Sequence, residues 1–244
     1  MELKDLLEVQ GILEYYWADA NSWSTNPDLE LPNLDVWYKF NDDVTDEQGA
    51  ADGTATAITY TSGKLNNCAV LNGSSSYVTA SGSVFELNTS YTISMWVYCA
   101  GSHGTTEEIL TSRAGENHYL IRRRSDGKID FFDWTGGGTQ KQCTSNSAVT
   151  QDTWVHVMAI RDNTSLTLYI NNIAQTDTDT TAGTLVYTDN DIYVGSNNGA
   201  SGGFLTGRVD DMRFYSRALS SDEREGIYNS GNGKELNYAS WDEA

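Results

Sequence analysis

Apolar residues recur at every second position in short runs of this chain, and polar turn-forming clusters end each run before a helical period can establish itself. In Tyr91–Tyr98, Ile93, Met95 and Val97 share one face while Ser94, Trp96 and Tyr98 share the other. In Ser165–Ile170, Leu166, Leu168 and Ile170 alternate with Thr167 and Tyr169. The same reading predicts strands at Asp35–Phe40, Tyr77–Ala80, Tyr119–Arg124, Lys128–Trp134, Trp154–Arg161, Ile192–Val194 and Gly207–Tyr215. With only 2 prolines and 22 glycines, the punctuation comes from Gly, Ser, Thr, Asn and Asp. Asn171-Asn172 suits a two-residue turn with positive φ, and Ser125-Asp126-Gly127 suits a type I turn closed by a left-handed glycine. An all-β chain follows, and strands with one core face and one outward face need two packed sheets.

Two segments depart from the alternation. Ser220-Ser221-Asp222-Glu223 has capping-box order and predicts a short helix running through Ile227-Tyr228 and stopping near Gly231. At the other end, Leu3, Leu6, Leu7, Leu13, Tyr16 and Trp17 fall mostly at three- and four-residue intervals, the stripe of an amphipathic helix. Such a helix cannot bury its stripe alone, so it docks on its own domain or on a partner. The expected organisation is an N-terminal arm over 1–33, a β domain over 34–230 and a tail over 231–244.

Charge narrows the partners. The 34 acidic residues outnumber the 15 basic ones, a net charge of −19, which disfavours a phosphate backbone as ligand. No apolar run approaches the roughly 18 residues of a membrane span, and residues 1–10 lack the basic and apolar regions of a secretory signal. Cys68, Cys99 and Cys143 form no even framework and read as free thiols, with one bridge of unspecified pairing as the alternative. The sequons at Asn72, Asn88 and Asn163 matter only in a secreted eukaryotic chain.

Catalytic constellations are missing from the pattern. Asp130 and Asp133 are spaced to opposite faces of a strand, and the adjacent pairs Glu107-Glu108 and Asp210-Asp211 diverge likewise. Hydrolysing a glycosidic bond needs two carboxylates on one cleft. The chain has no G-x-S-x-G elbow and no H-E-x-x-H helix, and Gly136-Gly137-Gly138 leads into no phosphate-loop lysine. The expectation is a non-enzyme.

Several blocks in order resemble the laminin-G-like, concanavalin A-like jelly-roll superfamily. They are Val36-Trp37-Tyr38-Lys39-Phe40 with Asp46-Glu47-Gln48-Gly49, then 69–78, then Tyr91-Thr92-Ile93-Ser94-Met95-Trp96-Val97, then Trp154-Val155-His156-Val157 leading to 168–172, and finally 207–220. The resemblance covers some four-fifths of the chain and implies a curved antiparallel two-sheet jelly roll. It also implies a structural Ca2+ stapling the first loop to the late Asp-Asp strand, with Asp46, the Gly49 carbonyl, Asp211 and nearby Asn41 as ligands. The alternative is that these are solvated turn acids.

The hairpin Tyr119–Trp134, closed by the three-residue turn, sets Arg122 opposite Asp130, Leu120 opposite Phe132 and His118 opposite Trp134. Tyr119, Ile121, Ile129 and Phe131 then face the core, and His118, Leu120, Arg122, Asp130, Phe132 and Trp134 face outward. An aromatic platform beside a forked donor and a carboxylate suits sugar rings. The alternative use of this face is burial under a loop or a neighbouring subunit, and a two-residue turn would exchange the faces.

The leading expectation is therefore a non-catalytic, lectin-like interaction protein. A signal-less acidic chain of this kind with a docking arm is expected on a virion surface. There the arm anchors it to a capsid or other virion protein, or to further copies of itself, and the jelly roll meets glycans. A free-standing calcium-dependent lectin is the alternative, and an endoglycanase is the third reading.

Overall fold

The computed structural model describes residues 32–235 apart from 88, 102–103, 113–118, 136–138 and 181–190. Within them the first strands are β1 (Leu34–Tyr38), β2 (Thr54–Thr56), β3 (Thr59–Ser62), β4 (Asn67–Asn72), β5 (Tyr77–Ser81), β6 (Ser90–Cys99) and β7 (Glu107–Thr111). They continue as β8 (Tyr119–Arg123), β9 (Ile129–Thr135), β10 (Thr139–Thr144), β11 (Trp154–Asp162), β12 (Ser165–Ile170), β13 (Ile173–Asp179), β14 (Asp191–Val194) and β15 (Thr206–Tyr215). One sheet runs β13-β12-β11-β6-β15-β4-β3, with β1 also paired to β15; the other runs β10-β9-β8-β7-β14-β5-β2. Every pairing is antiparallel. The two-sheet jelly-roll expectation is met. The expected arm residues Leu3, Leu6, Leu7, Leu13, Tyr16 and Trp17 lie outside the described residues.

Alternation places the core between the sheets. Ile93, Met95, Val97, Val157, Leu166, Leu168 and Phe214 of the first sheet meet Val78, Leu110, Tyr119, Ile121, Ile129, Phe131 and Val194 of the second. An ion pair also crosses this interior. Arg161 on β11 reaches Asp133 on β9 at 2.5 Å, and the Tyr91 hydroxyl donates to the same oxygen at 3.0 Å. Arg161 and Asp133 are each 1% exposed, so each is the other's substitute for water. Cys68, Cys99 and Cys143 are free and buried, as expected, and burial raises each thiol's pKa.

Both turn readings hold. Asn171 and Asn172 take φ of 49° and 60°, and Gly127 takes 82° while its N–H donates to the Arg124 carbonyl. The C-terminal helix α1 (Ser221–Tyr228) begins at a complete Ser220/Glu223 capping box and ends at left-handed Asn229. It covers apolar side chains on the outer faces of β1, β11 and β15 in the first sheet. Ile227 and Leu219 pack with Trp37, Met158, Ile160 and Tyr215 in a second, smaller core on the sheet's outer side.

Six strands, β2, β3, β4, β7, β10 and β13, were not among the predicted ones. Most are edge or near-edge strands of polar composition, such as TQKQCT and IAQTDTD, where a period-2 apolar pattern has no core to report. β7 is interrupted by a register shift between Glu108 and Leu110, which lets both Ile109 and Leu110 be buried.

Candidate functional site

The outer face of the second sheet carries a continuous cross-strand row. Thr54, Thr79, Tyr193, Thr111, Leu120, Phe132 and Gln142 are register partners across β2, β5, β14, β7, β8, β9 and β10. Beside it runs a shorter, charged row, Glu108, Arg122, Asp130 and Thr144. The predicted hairpin register is the observed one, with Arg122 opposite Asp130 and Leu120 opposite Phe132. His118 lies outside the described residues.

Facing outward does not make these side chains accessible. Leu120 and Phe132 are 2% and 3% exposed, and Asp130 is fully buried. The Arg122 guanidinium lies 4.5 Å over the Phe132 ring, and Trp134 stacks on Phe132 with centroids 5.4 Å apart. Phe132 is thus a base plate, not the expected open platform. Both Asp130 oxygens are engaged, Oδ2 by Arg122 Nε at 3.0 Å and Oδ1 by Thr144 Oγ1 at 3.0 Å and Gln142 Nε2 at 3.3 Å. Asp130 fixes the guanidinium through Nε alone, so the terminal nitrogens of Arg122 keep their donors for another acceptor. Half-buried Trp134 and Arg122, 32% exposed, are the ring and the forked donor that this part of the face presents.

Glu108, Thr111, Gln142 and Thr144 belong to this face and were not predicted. Thr111 Oγ1 donates to Glu108 Oε2 at 2.6 Å, which aims the Glu108 carboxylate beside Arg122. No alternation in β7 or β10 could have announced them, because the first strand is bulged and the second is a polar edge.

The residues expected at a calcium site are placed differently. Asp46 is 3% exposed and its carboxylate accepts four backbone N–H groups, from Trp37 at 2.8 Å, Gln48 at 3.0 Å, Ala50 at 2.8 Å and Ala51 at 3.0 Å. Gly49, at φ 71°, closes the loop that presents them. Asp211 Oδ1 accepts from Trp37 Nε1 at 2.7 Å and from Arg213 at 2.9 and 3.0 Å. Asn41 holds the Asn67 N–H and Glu235. Both Asp46 oxygens are spent on loop N–H groups and Asp211 Oδ1 on an indole and a guanidinium, while Asp211 Oδ2 has no hydrogen-bond partner among the described residues. Among the described residues no cluster of three or more His, Cys, Asp or Glu stands ready for a metal.

Asp210 and Asp211 do not diverge as alternation predicts. A bulge in β15, where Asp211 takes φ 50°, brings both to the outer side of the first sheet. Asp210 Oδ2 accepts the N–H groups of Lys64 and Leu65 at 2.7 and 2.8 Å, and a Cβ on Gly63 would stand 2.5 Å from that oxygen. Its other oxygen has no hydrogen-bond partner among the described residues. Burial, with a smaller push from Asp211, raises its pKa to about 8. A carboxyl so perturbed is a hallmark of catalytic sites, but this one is fully buried and Asp211 is 2% exposed, so neither meets a substrate.

Comparison with known proteins agrees with this architecture. Domain 4 of AbnA, a GH43 extracellular arabinanase from Geobacillus stearothermophilus solved in complex with arabinotriose, matches with a TM-score of 0.65 and 20% identity, over 83% of this chain and 98% of that one. The binding domain of botulinum neurotoxin serotype D matches with a TM-score of 0.69 and 14% identity, over 82% of this chain and 51% of its own. The binding domain of Paraclostridial Mosquitocidal Protein 1 matches at 0.67 and 17%, over 82% and 52%. The chain therefore spans about half the length of the toxin domains. No curated protein matches it in sequence. No helix among the described residues is long and apolar enough to cross a membrane. A laminin-G family model matches residues 72–223, more than half of the chain, and the chain belongs to the concanavalin A-like lectin/glucanases superfamily.

Proposed function

We propose that this chain is a non-catalytic carbohydrate-binding module that holds its ligand on the outer face of the second sheet, with Trp134 as the ring platform and Arg122 as the hydroxyl donor. The observation that carries this reading is the fixed Arg122–Phe132–Trp134 stack, oriented by the buried Asp130 carboxylate, which Thr144 and Gln142 hold in place. Sugar rings present an apolar C–H face to an aromatic ring and hydroxyls to a forked donor. The fold likeness to an arabinanase domain in complex with arabinotriose supports the ligand class.

Binding without turnover is supported by the carboxylates themselves. Asp130 has both oxygens engaged, and Glu108 stands on the far side of Arg122. The Arg122 strand lies between them, and Asp130, fully buried, has no oxygen free for a water or a sugar. Attachment to a larger particle, such as a virion, rests on the stripe in residues 1–33.

A glycan array of neutral oligosaccharides, arabinotriose included, tests the reading. Trp134→Ala and Arg122→Ala are expected to weaken binding about fivefold or more while the fold is retained, since one aromatic contact is worth about 1 kcal/mol. Full binding by both variants would remove this face from consideration, and sugar release by the wild-type chain would refute the non-catalytic reading. Deleting residues 1–33 tests attachment through particle incorporation. Loss of incorporation with the β domain still folded would support attachment through the arm, and retained incorporation would count against it.

A further inference from the structure

A second concavity lies at the start of the edge strand β13, beside the first residues of β11 and the last of β12, and takes none of its lining from the Trp134 face. It has a volume of about 360 Å³, within the size range of small-ligand sites, and is formed by the 146–153 connection and the β12–β13 turn. Buried Val149 and Val155 belong to its lining, with half-buried Trp154 and Ile170 and with Ile173, which is 67% exposed. Ile173 is the exposed large hydrophobic residue among the described residues, and it shares this lining with Trp154. The remaining lining is Asn146, Asn171, Gln175, Ser147, Thr150 and Thr153, with Ala148.

No residue of the lining carries a charge, in a chain whose net charge is −19. That excludes an anion or cation held by a counter-charge, and it leaves amides and hydroxyls as the only polar side chains. The walls are also preset. Asn146 N donates to Gln175 Oε1 at 2.8 Å, Gln175 Nε2 to the Ile173 carbonyl at 2.8 Å, and His156 N to Asn171 Oδ1 at 2.9 Å. Thr153 Oγ1 ties its own turn to the Thr150 carbonyl at 3.0 Å. Trp154 is oriented by a perpendicular contact with Tyr98, centroids 5.6 Å apart, and Arg208 in turn covers Tyr98 at 4.8 Å.

We infer that this cleft is a second binding site, for a short neutral saccharide. Its apolar faces would come from Trp154 and Ile173, and the uncharged amides and hydroxyls would meet the ring hydroxyls. The inference stands on its own lining and does not require the Trp134 face to bind. A chain with both sites grips a polysaccharide at two points, and binding to long glycans then exceeds binding to short ones through effective concentration alone.

The test is an NMR titration of the full chain with neutral trisaccharides (maltotriose, cellotriose and xylotriose), extended to the neutral members of the glycan array. The Trp154 indole N–H and the side-chain amides of Asn146, Asn171 and Gln175 are followed together with the Trp134 indole. Saturable shifts at the Trp154 group are expected, and Ile173→Asp, on an exposed side chain that leaves the fold intact, should weaken them at least tenfold while leaving Trp134 shifts unchanged. Trp154→Ala, checked for an unchanged melting curve, should do the same. Shifts confined to Trp134 would overturn the second site and leave the proposed function standing. Shifts confined to the Trp154 group would do the reverse. Silence at the Trp154 group with every neutral sugar, response only to sulfated or phosphorylated sugars, or dilution-dependent shifts that mark contact between copies of the chain would each overturn it.

Discussion

Asp210→Asn should change how stability depends on pH more than it changes stability itself. In the folded chain the Asp210 carboxyl, buried with one oxygen unpartnered, loses its proton near pH 8, whereas an exposed aspartate does so near 3.8. Between those values the unfolded chain has released a proton that the folded chain still holds, so stability falls as pH rises, by up to about 1.4 kcal/mol per pH unit. His156 acts in the opposite sense. It is fully buried against Ser94 and Trp96, and burial, helped by nearby Arg213, lowers its pKa from 6.5 to about 3. Below pH 6.5 the unfolded chain takes up a proton that the folded chain refuses, and stability falls as pH falls. Asp210 and His156 are both register partners of Trp96 on one side of the first sheet.

Together they predict a plateau from roughly pH 4 to 6.5, where the two slopes cancel, and a decline above it. From pH 6.5 to 8.5 the wild-type chain should lose on the order of 2 kcal/mol, a shift of about 1 M in the urea midpoint at an m-value of about 2 kcal/mol/M. Asp210→Asn retains an acceptor for the Lys64 and Leu65 N–H groups and removes the titration, so its midpoint should stay flat over that window. His156→Gln should keep gaining stability as pH falls below 6.5. Urea melts followed by tryptophan fluorescence at half-unit pH steps measure all three. Parallel wild-type and Asp210→Asn curves above pH 6.5 would show that the buried carboxyl is already ionised in the native state, and the argument from burial would fail.

Three further outcomes are expected. Arg161→Met should cost about 3–5 kcal/mol by stranding Asp133 inside the sandwich, and adding Asp133→Asn should recover part of that loss in the same urea assay. Asp46→Asn can no longer satisfy four backbone donors and should cost roughly 2 kcal/mol, whereas calcium or a chelator at matched ionic strength should leave the melting temperature unchanged; a clear calcium-dependent rise would contradict the loop-holding role of Asp46. Ser220→Ala should lower stability by about 1 kcal/mol through loss of the cap on α1, whose Ile227 seals the smaller core.

What could be read from the chain follows from where water is excluded on one side only. β12 and the β8–β9 hairpin alternate because one face meets the sandwich core, and their register follows from turn chemistry at Gly127 and Asn171-Asn172. The pattern fails where that asymmetry is lost. β10 and β13 are edges of polar composition, and Cys143 is the one β10 side chain in the sandwich core among the described residues. β11 carries Met158 and Ile160 on its outer face because a helix 60 residues later covers them, a long-range contact with no local signature. Asp210-Asp211 was misread for a third reason, since a bulge cancels the period-2 rule at the position that matters.

The same distinction governs the site. Outward orientation was legible from register, but exposure was not, because it depends on what neighbours on the same face do with their side chains. Phe132 points away from the core and is nevertheless enclosed, since Arg122 and Trp134 cover its ring while Asp130, Thr144 and Gln142 hold that arrangement. Three of those residues come from strands whose register the turn determines, and two come from an edge strand with no apolar pattern. A sheet face therefore becomes a binding surface only through side chains that immobilise one another. In the proposed site that order is Phe132 beneath, with Trp134 and the Arg122 guanidinium stacked on its ring.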